Sequence, residues 1–317
     1  MDTTEKVWVS FCMSTYNRPD FLKSQITSLL LQTFPGYEIV ICDNDPTAAV
    51  KPIIDSFNDA RIKYHCNHEN IGMIKSFNRS IELANGQYIV MITDDDPVAH
   101  DFIETFHAVI HKFPGYSVYG GLKRNHTKEG GLEIINQRSF ISEFLDPQKT
   151  TEILWSSCLL RREDVLAIGK LPDYGVPHLT DHALIAMVGS MNGGVIINRM
   201  YSNIVSHAGN FSKLNFDHYY TSCIEFYNLL NSFIANKPLE AENRKAVTKH
   251  LGKWFISYVF GLLNHYKTAA NYNRQKLNEV KTIADKVLEL PYMKKYRFKY
   301  EAKLFILNTK FAMRIKK

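Results

Sequence analysis

The feature that most constrains this chain is a short apolar run that ends in three consecutive carboxylates. Tyr88–Ile92 is β-rich and bounded by a glycine, which is typical of a strand buried on both faces. Asp94, Asp95 and Asp96 follow at its carboxyl end. Adjacent carboxylates repel one another, and a hard divalent cation such as Mg²⁺ or Mn²⁺ would neutralise them with oxygen ligands. The alternative interpretation is a solvated acidic turn in which Asp96 caps the next helix.

The segments before this run alternate between strand and helix patterns with short connections. That order predicts a mostly parallel sheet with right-handed crossovers and helices on both faces. Polar residues end three of the strands, and the carboxyl ends of parallel strands share one edge, so these residues should line one crevice. The predicted strands are 7–13, 38–42, 62–65 and 88–92, the predicted helices are 19–32, 48–57 and 73–83, and the polar ends are Thr15, Tyr16 and Asn17, then Asp43 and Asn44, then Asp94 and Asp95.

Several classes of protein are disfavoured. No Gly-x-Gly-x-x-Gly and no P-loop follow the first strand, so phosphates would be held by a cation and basic side chains. The five cysteines show no CxxC spacing, which disfavours a zinc site or a disulfide framework. No signal-peptide pattern opens the chain, and no apolar run reaches the ~20 residues that span a bilayer. We therefore expect a cytosolic protein, or one bound to the inner face of a membrane.

Five loose motifs, in this order and strand context, resemble the family 2 glycosyltransferases of GT-A fold. They are Ser14–Arg18, Cys42–Asp45, Asn70 with Gly72, Gly86–Ile89 and Thr93–Asp96, and the resemblance covers residues 7–210. It implies an inverting, metal-dependent glycosyltransferase. Such an enzyme moves a sugar from a nucleotide-diphospho-sugar to a saccharide or lipid-linked acceptor hydroxyl, here in bacterial surface polysaccharide biosynthesis.

Two other functions were weighed against this one. A sugar nucleotidyltransferase would need a Gly-rich basic loop after the first strand, and this sequence has none there. A non-catalytic scaffold that binds nucleotide-sugars or membranes stays open, because Thr93 and Thr180 stand where the family has acids.

The resemblance also implies a nucleotide pocket. Asn44 replaces an acid of the family, and its amide oxygen could accept from N3–H of uracil or thymine, which favours UDP- or dTDP-sugars. Lys75 and Asn78, one helical turn apart, would face the nucleotide or its phosphates. The implied nucleotide-sugar contacts are Thr15, Tyr16, Asn17, Arg18, Asp43, Asn44, Lys75, Asn78 and Asp94.

Metal and catalytic roles follow from the same resemblance. Asp95 would contact Mn²⁺ or Mg²⁺ through the diphosphate, with Asp96 behind it, and His207 is either a further ligand or a surface-loop histidine. Asp181 would be the catalytic base, although Thr180 or Asp181 could simply cap a helix. On the acceptor side, the candidates are Trp155, which could equally pack in the core, and His178.

The C-terminal part has a different texture. Helical periodicities occupy 219–233, 240–266 and 275–290, and nine Lys or Arg with one acid lie between Pro291 and Lys317. The net charge of +6 is therefore concentrated in this tail. Lys294–Lys317 suits an anionic membrane surface. The alternatives are packing on the protein and binding to nucleic acid, which we do not expect as a partner.

The expected parts of the chain are a nucleotide-sugar-binding half (1–120), an acceptor-binding half (121–214) and a helical region (215–317).

Overall fold

The computed structural model describes residues 7–205, 216–268 and 271–315. The chain divides into two compact units, Met1–Ser206 and His207–Lys317. The first unit contains every described strand, and the second contains four described helices.

One eight-stranded sheet organises the first unit. Its strand order is β3-β2-β1-β4-β9-β5-β10-β7, and β6 pairs with β8 in a separate two-stranded sheet. Neighbouring pairs among β1 to β4 are parallel, whereas β9 runs antiparallel to both β4 and β5. The strands are β1 (Val9–Thr15), β2 (Tyr37–Asp43), β3 (Ile62–Cys66), β4 (Tyr88–Ile92), β5 (Val118–Gly121), β6 (Lys123–Arg124), β7 (Leu132–Ile135), β8 (Thr150–Glu152), β9 (Cys158–Arg161) and β10 (Gly194–Ile197).

Helices connect the strands and cover the sheet. They are α1 (Pro19–Leu30), α2 (Lys51–Ser56), α3 (Met73–Leu83), α4 (Phe102–Lys112), α5 (Phe140–Leu145), α6 (Arg162–Ala167) and α7 (Thr180–Asn192). The apolar side chains of β1, β2 and β4 form the core with Leu22 and Ile26 of α1 and Phe102 and Phe106 of α4. All five residues of β4 are buried, as expected of a central strand covered on both faces.

Four helices make up the described part of the second unit. They are α8 (Tyr219–Ile234), α9 (Glu240–Lys267), α10 (Arg274–Glu289) and α11 (Arg297–Ile315). Aromatic side chains pack within this unit, with the rings of Tyr219 and Trp254 5.2 Å apart. Within the described residues, we find no helix with the length and apolar character needed to cross a bilayer.

The sequence-based prediction of alternating strands and helices is confirmed, with shifts of a few residues at element ends. Two details are wrong. The run Trp155–Arg162 has the sequence pattern of a strand that enters a helix, but its first three residues, Trp155–Ser157, form a 3₁₀ turn before β9. The hydroxyl of Ser156 donates to the Ser202 hydroxyl, and the hydroxyl of Ser157 accepts from the Tyr201 N–H. These two serine side chains therefore bond to the segment after β10.

The second correction concerns the acidic turn after β4. The next helix, α4, begins at Phe102 and follows Asp101, five residues beyond Asp96. Asp94 and Asp96 are buried. The alternative of a solvated acidic turn capped by Asp96 is therefore wrong.

Candidate active site at the carboxyl edge of the sheet

The parallel strands bring the predicted polar residues to one edge of the sheet. Thr15, the last residue of β1, lies opposite Asp43, the last residue of β2. The Asn44 N–H donates to the Thr15 carbonyl at 2.9 Å, which extends the pairing by one residue. On the other side of β1, β4 ends level with Met13, so that Asp94 reaches the Thr15 side chain.

Asp94 and Asp95, which we call the carboxylate pair, converge on a single cation. Arg18 Nη1 lies 2.5 Å from Oδ1 of Asp94, and Nη2 lies 2.7 Å from Oδ2 of Asp95. The Thr15 hydroxyl donates to the other oxygen of Asp94 at 3.0 Å. The side chains of Asp94 and Asp95 are 4% and 9% exposed, and that of Arg18 is 30% exposed.

Burial makes these carboxyl groups unusually basic. It raises the pKa of Asp94 to about 6; the Arg18 guanidinium opposes this rise and the Asp95 charge adds to it. Burial likewise raises the pKa of Asp96 to about 6, against the lowering influence of the Thr93 hydroxyl. The backbone oxygen of Asp96 accepts from buried Gln25 at 2.8 Å, which fixes the turn. This edge of the sheet favours added positive charge.

The carboxylate pair has the chemistry of a divalent-cation site. Two carboxylates that already hold a guanidinium between them supply the hard oxygen donors that Mg²⁺ and Mn²⁺ prefer. Asp95 is the ligand predicted from sequence. Asp94, predicted as a donor contact, shares Arg18 with it and would hold the ion as well. Such an ion usually completes its coordination with water and substrate phosphates.

Asp43 supports the turn after β2. It is fully buried; one carboxylate oxygen accepts from the Asp45 N–H at 2.9 Å and the other from the Tyr64 hydroxyl at 2.8 Å. Burial raises the pKa of Asp43, and these two hydrogen bonds oppose the rise. The contact of Asp43 with a base or ribose stays a prediction.

The orientation of Asn44 follows from its neighbours. Arg79 has only donors, so the atom of Asn67 that lies 2.5 Å from Nη1 must be the amide oxygen. The amide nitrogen of Asn67 then donates to the oxygen of Asn44 at 2.8 Å. An amide oxygen has two lone pairs, so Asn44 can still accept from a base N3–H, and its NH₂ group can donate to a base or ribose oxygen. The contact of Asn44 with the nucleotide stays a prediction.

Three predicted nucleotide contacts are accessible at the same edge or beside it. Tyr16 is half-exposed, and its ring is available for stacking on a base. Asn17 and Lys75 are exposed, and Asn17 has a left-handed φ of 50°, which turns the chain into α1.

Asn78 has a different role from the one predicted. Its amide nitrogen donates to the Leu171 carbonyl at 2.9 Å, and its oxygen accepts from the Leu171 N–H at the same distance. This pair of bonds ties α3 to the segment after α6. We therefore correct the prediction and assign Asn78 to the fold rather than to the donor.

Asp181 lies in the first turn of α7, and its side chain is 31% exposed. The residue before the helix is Leu179, which is buried in the left-handed region with φ 68°, and no side chain caps the helix. The alternative that Thr180 or Asp181 is an N-cap is therefore wrong. The left-handed backbone of Leu179 is strained, and such strain at a non-glycine residue is more frequent at functional sites. This is consistent with a role for Asp181, two residues later, beyond starting the helix.

The acceptor-side candidates are less accessible than expected. Trp155 is buried with its ring 4.9 Å from that of Phe77, so the alternative of core packing is favoured. His178 is buried as well, and its carbonyl accepts from the Tyr174 hydroxyl at 2.8 Å. His207 lies outside the described residues.

Sequence reasoning missed four supporting side chains: Gln25, Tyr64, Asn67 and Arg79. Tyr64 lies on β3 directly beside β2, where an alignment of the strand ends would have placed it near Asp43. His182 was also missed; its Nε2 lies 3.7 Å from Oδ2 of Asp181. Simple adjacency to the predicted base is the signal that could have identified it.

A second group of potential metal ligands is an ion-pair network instead. Oxygen and nitrogen atoms of His126, Glu133 and Glu143 lie within 4.8 Å of one another. The buried Arg124 guanidinium binds Glu133 at 2.9 Å and Glu143 at 3.1 Å. Lys149 also pairs with Glu143, so two cations balance the two glutamates, and the Arg124 side chain is only 1% exposed. The carboxylate pair, in contrast, faces the single, partly exposed Arg18.

A family model and several known proteins match parts of this chain. The family model described as Glycosyl transferase family 2 matches residues 10–168, which is half of the chain and includes Arg18 and the carboxylate pair but not Asp181. The UDP-Glc:alpha-D-GlcNAc-diphosphoundecaprenol beta-1,3-glucosyltransferase WfgD of Escherichia coli is 29% identical over 144 residues, covering 45% of this chain and 53% of the relative. The chain thus spans about half the length of this relative, and less of others that it matches.

Solved structures show the same fold. TarS 1–349 of S. aureus in complex with UDP-GlcNAc has a TM-score of 0.59 at 17% identity, covering 88% of this chain and 81% of that chain. The mannosyltransferase PcManGT of Pyrobaculum calidifontis, with GDP-Man and Mn²⁺, has a TM-score of 0.53 at 16% identity, covering 98% of this chain and 88% of that chain. At these identities the likeness concerns the fold, which is of the GT-A type. With half of its length matched by the family model, the chain belongs to glycosyltransferase family 2.

Proposed function

We propose that this chain is an inverting, metal-dependent glycosyltransferase that uses a nucleotide-diphospho-sugar, with UDP- or dTDP-sugars favoured. The observation that carries the proposal is the carboxylate pair, which holds the Arg18 guanidinium. The pair lies at the edge of the sheet where α/β proteins bind ligands. When bound, a divalent cation offsets the charge that develops on the leaving diphosphate. Asp95 and Asp94 would hold that cation.

The remaining residues would hold the donor. Tyr16 would stack on the base, the Asn44 NH₂ would donate to a base or ribose oxygen, and Arg18 and Lys75 would face the phosphates. The UDP-GlcNAc bound to TarS and the UDP-Glc in the name of WfgD support a uridine nucleotide. The diphosphoundecaprenol-linked acceptor in the name of WfgD supports a lipid-linked acceptor and a role in bacterial surface polysaccharide synthesis.

Asp181 would be the base that makes transfer possible. The acceptor oxygen forms a bond to the anomeric carbon, the bond from that carbon to the diphosphate oxygen breaks, and the acceptor proton passes to the Asp181 carboxylate. The electron pair of the broken bond leaves with the nucleoside diphosphate. Attack opposite the leaving group inverts the anomeric configuration.

Replacing Asp181 tests this assignment. We expect Asp181→Asn to lower transfer by roughly 10²- to 10⁴-fold while nucleotide binding is retained, because the amide cannot take up the proton. UDP release would be measured from UDP-glucose or UDP-N-acetylglucosamine supplied with a diphosphoundecaprenyl-linked sugar.

Asp173→Asn is the matched control, because Asp173 is an exposed carboxylate in the segment before α7 and Asn can still accept from the Gly175 N–H. Near-normal turnover of Asp181→Asn would contradict the assignment of Asp181 as the catalytic base. Wild-type protein that turns over none of the donors would favour the scaffold alternative.

We also propose that α11 binds an anionic membrane surface, peripherally and on the cytoplasmic side. Phe298, Phe305 and Ile306 are 82%, 72% and 52% exposed, and their spacing places them on one face of the helix. Tyr300, on the opposite face, is buried within the unit. This exposed aromatic stripe lies within Lys294–Lys317, a segment that carries nine basic residues. The combination fits the headgroup region of a membrane, where each nearby Lys or Arg contributes roughly 1 kcal/mol.

Sedimentation of the full chain with vesicles tests this surface. We expect binding to vesicles that contain phosphatidylglycerol, weak binding to pure phosphatidylcholine, and a loss of about tenfold or more in Phe298→Ser/Phe305→Ser. Ile134→Ser, at an exposed apolar residue of β7, is the control. Equal binding by the double variant, or binding to single-stranded DNA in place of vesicles, would contradict the proposal.

A further inference from the structure

We propose that Arg18 occupies the cation position of the carboxylate pair and exchanges with the divalent cation when the nucleotide arrives, so that metal and nucleotide bind cooperatively. The proposal rests on the function proposed above and adds a positioning role for one residue.

The geometry makes Arg18 and a metal ion competitors. Its two terminal nitrogens engage one oxygen of each acid, at 2.5 Å on Asp94 and 2.7 Å on Asp95. Thr15 holds the other oxygen of Asp94. An ion held by the two carboxylates would take the place of the guanidinium, so Arg18 and the ion would compete for this position.

The position of Arg18 allows its guanidinium to withdraw. Arg18 directly precedes α1, after left-handed Asn17, and its guanidinium carbon lies 4.4 Å from the centre of the Phe21 ring. Its side chain is 30% exposed, whereas the acids beneath it are almost fully buried. The guanidinium can thus turn towards the solvent side of the crevice, exchanging its contact with the Phe21 ring for one with the incoming nucleotide.

Charge explains why the exchange depends on the nucleotide. Arg18 and a divalent ion carry like charge and repel each other while both lie at the carboxylate pair. A diphosphate neutralises part of this positive charge and offers Arg18 the planar, bidentate oxygen partners that guanidinium groups bind best. Metal alone therefore competes with Arg18, whereas metal with a nucleoside diphosphate does not.

Binding of Mn²⁺, read from the electron paramagnetic resonance signal of the free ion, tests the proposal without any measurement of activity. We expect Arg18→Gln to bind Mn²⁺ alone about tenfold more tightly than wild type, because the competing cation is gone. In wild type, UDP should tighten Mn²⁺ binding. In Arg18→Gln this enhancement should fall by about tenfold, because Mn²⁺ has no guanidinium to displace and UDP has none to draw away.

Controls separate this exchange from simpler effects. Lys23→Gln removes an exposed positive charge from the same helix and should leave Mn²⁺ binding unchanged. Asp95→Asn should weaken Mn²⁺ binding both in wild type and in Arg18→Gln. Arg18→Lys keeps the charge without the fork and should fall between wild type and Arg18→Gln, which keeps the test intact if the glutamine variant does not fold.

The outcomes also distinguish this inference from the proposed function. Mn²⁺ binding by Arg18→Gln that equals or falls below that of wild type would overturn the exchange, as would a wild type that binds UDP without any tightening of Mn²⁺ binding. If no nucleotide binds wild type at all, the proposed function fails, and the comparison with Mn²⁺ alone still decides whether Arg18 and the metal compete.

Discussion

Asp94 and Asp96 are ionisable side chains held where little water reaches them. The folded-state pKa of each is raised to about 6, well above the value of about 3.9 expected in an unfolded chain. Between these two values the folded state binds more protons than the unfolded state, so the contribution of these groups to stability falls as pH rises from about 4 to about 6. Above that window both groups are charged in either state, and the loss is complete.

Removing the charge of Asp96 should therefore stabilise the metal-free protein at neutral pH. In EDTA, we expect Asp96→Asn to raise the free energy of unfolding at pH 7 by about 1–3 kcal/mol, and by much less at pH 4.5, where Asp96 is mostly protonated in the fold. Thermal melts at the two pH values check this, with exposed Asp20→Asn as the control. If Asp96→Asn lost the same stability at pH 4.5 and pH 7, the hydrogen bond between Asp96 and the Val205 backbone would contribute more than the cost of burying the Asp96 charge.

Prediction from sequence succeeded for residues whose place depends on strand ends, and stopped where long-range contacts decide the orientation. The meeting of Thr15 with Asp94 follows from two adjacent parallel strands. The direction of the Asn44 amide depends on Arg79 of α3 acting through Asn67, a relay that no local pattern contains. The same holds for Asn78, whose partner Leu171 is 93 residues away.

At the scale of elements, helix packing explains where glycine is required. Gly189 of α7 lies against the buried ring of Phe140, and a Cβ at this position would lie 2.0 Å from a ring carbon. Phe140 also stacks on Phe144, with ring centres 5.6 Å apart, so it has little freedom to move. Gly261 of α9, in contrast, is exposed, and no atom lies within 4 Å of a Cβ there.

The same substitution should therefore have opposite effects in the two helices. We expect Gly189→Ala to destabilise the protein by about 1–3 kcal/mol through overpacking, and Gly261→Ala to stabilise it by about 0.5–1 kcal/mol through helix propensity. Urea unfolding of both variants measures the difference. A stabilised Gly189→Ala would mean that α5 and α7 are less tightly packed than described.

Element prediction from sequence was good where periodicity and stop signals coincide. Helix α3 spans Met73–Leu83 as predicted, between Gly72 and the Ala84–Gly86 stop. It failed at Trp155–Ser157, which form a 3₁₀ turn, and at the start of α7, where buried Leu179 in a left-handed conformation precedes the helix in place of Thr180 or Asp181. Both failures lie in segments whose backbone is set by tertiary contacts.

At the scale of the whole molecule, charge and chemistry are separated along the chain. The carboxylate pair lies in the first unit, whereas the basic segment with its exposed aromatic stripe lies in the second. Composition predicted the basic tail, because charge can be counted in a sequence. The donor base, the sugar and the acceptor depend on pocket contacts of a few kcal/mol, which motifs do not encode.

The central claim is that the carboxylate pair holds a metal that is required for nucleotide-sugar binding. The most direct test is a thermal-shift series with UDP-, GDP- and dTDP-sugars, each with Mn²⁺ and with EDTA, on wild type and Asp95→Asn. We predict a rise in Tm for one nucleotide, UDP or dTDP, that needs Mn²⁺ and disappears in Asp95→Asn; at a ligand concentration of 100 Kd the stabilisation is about 2.7 kcal/mol. A shift of the same size in EDTA, or no shift with any donor, would contradict the account.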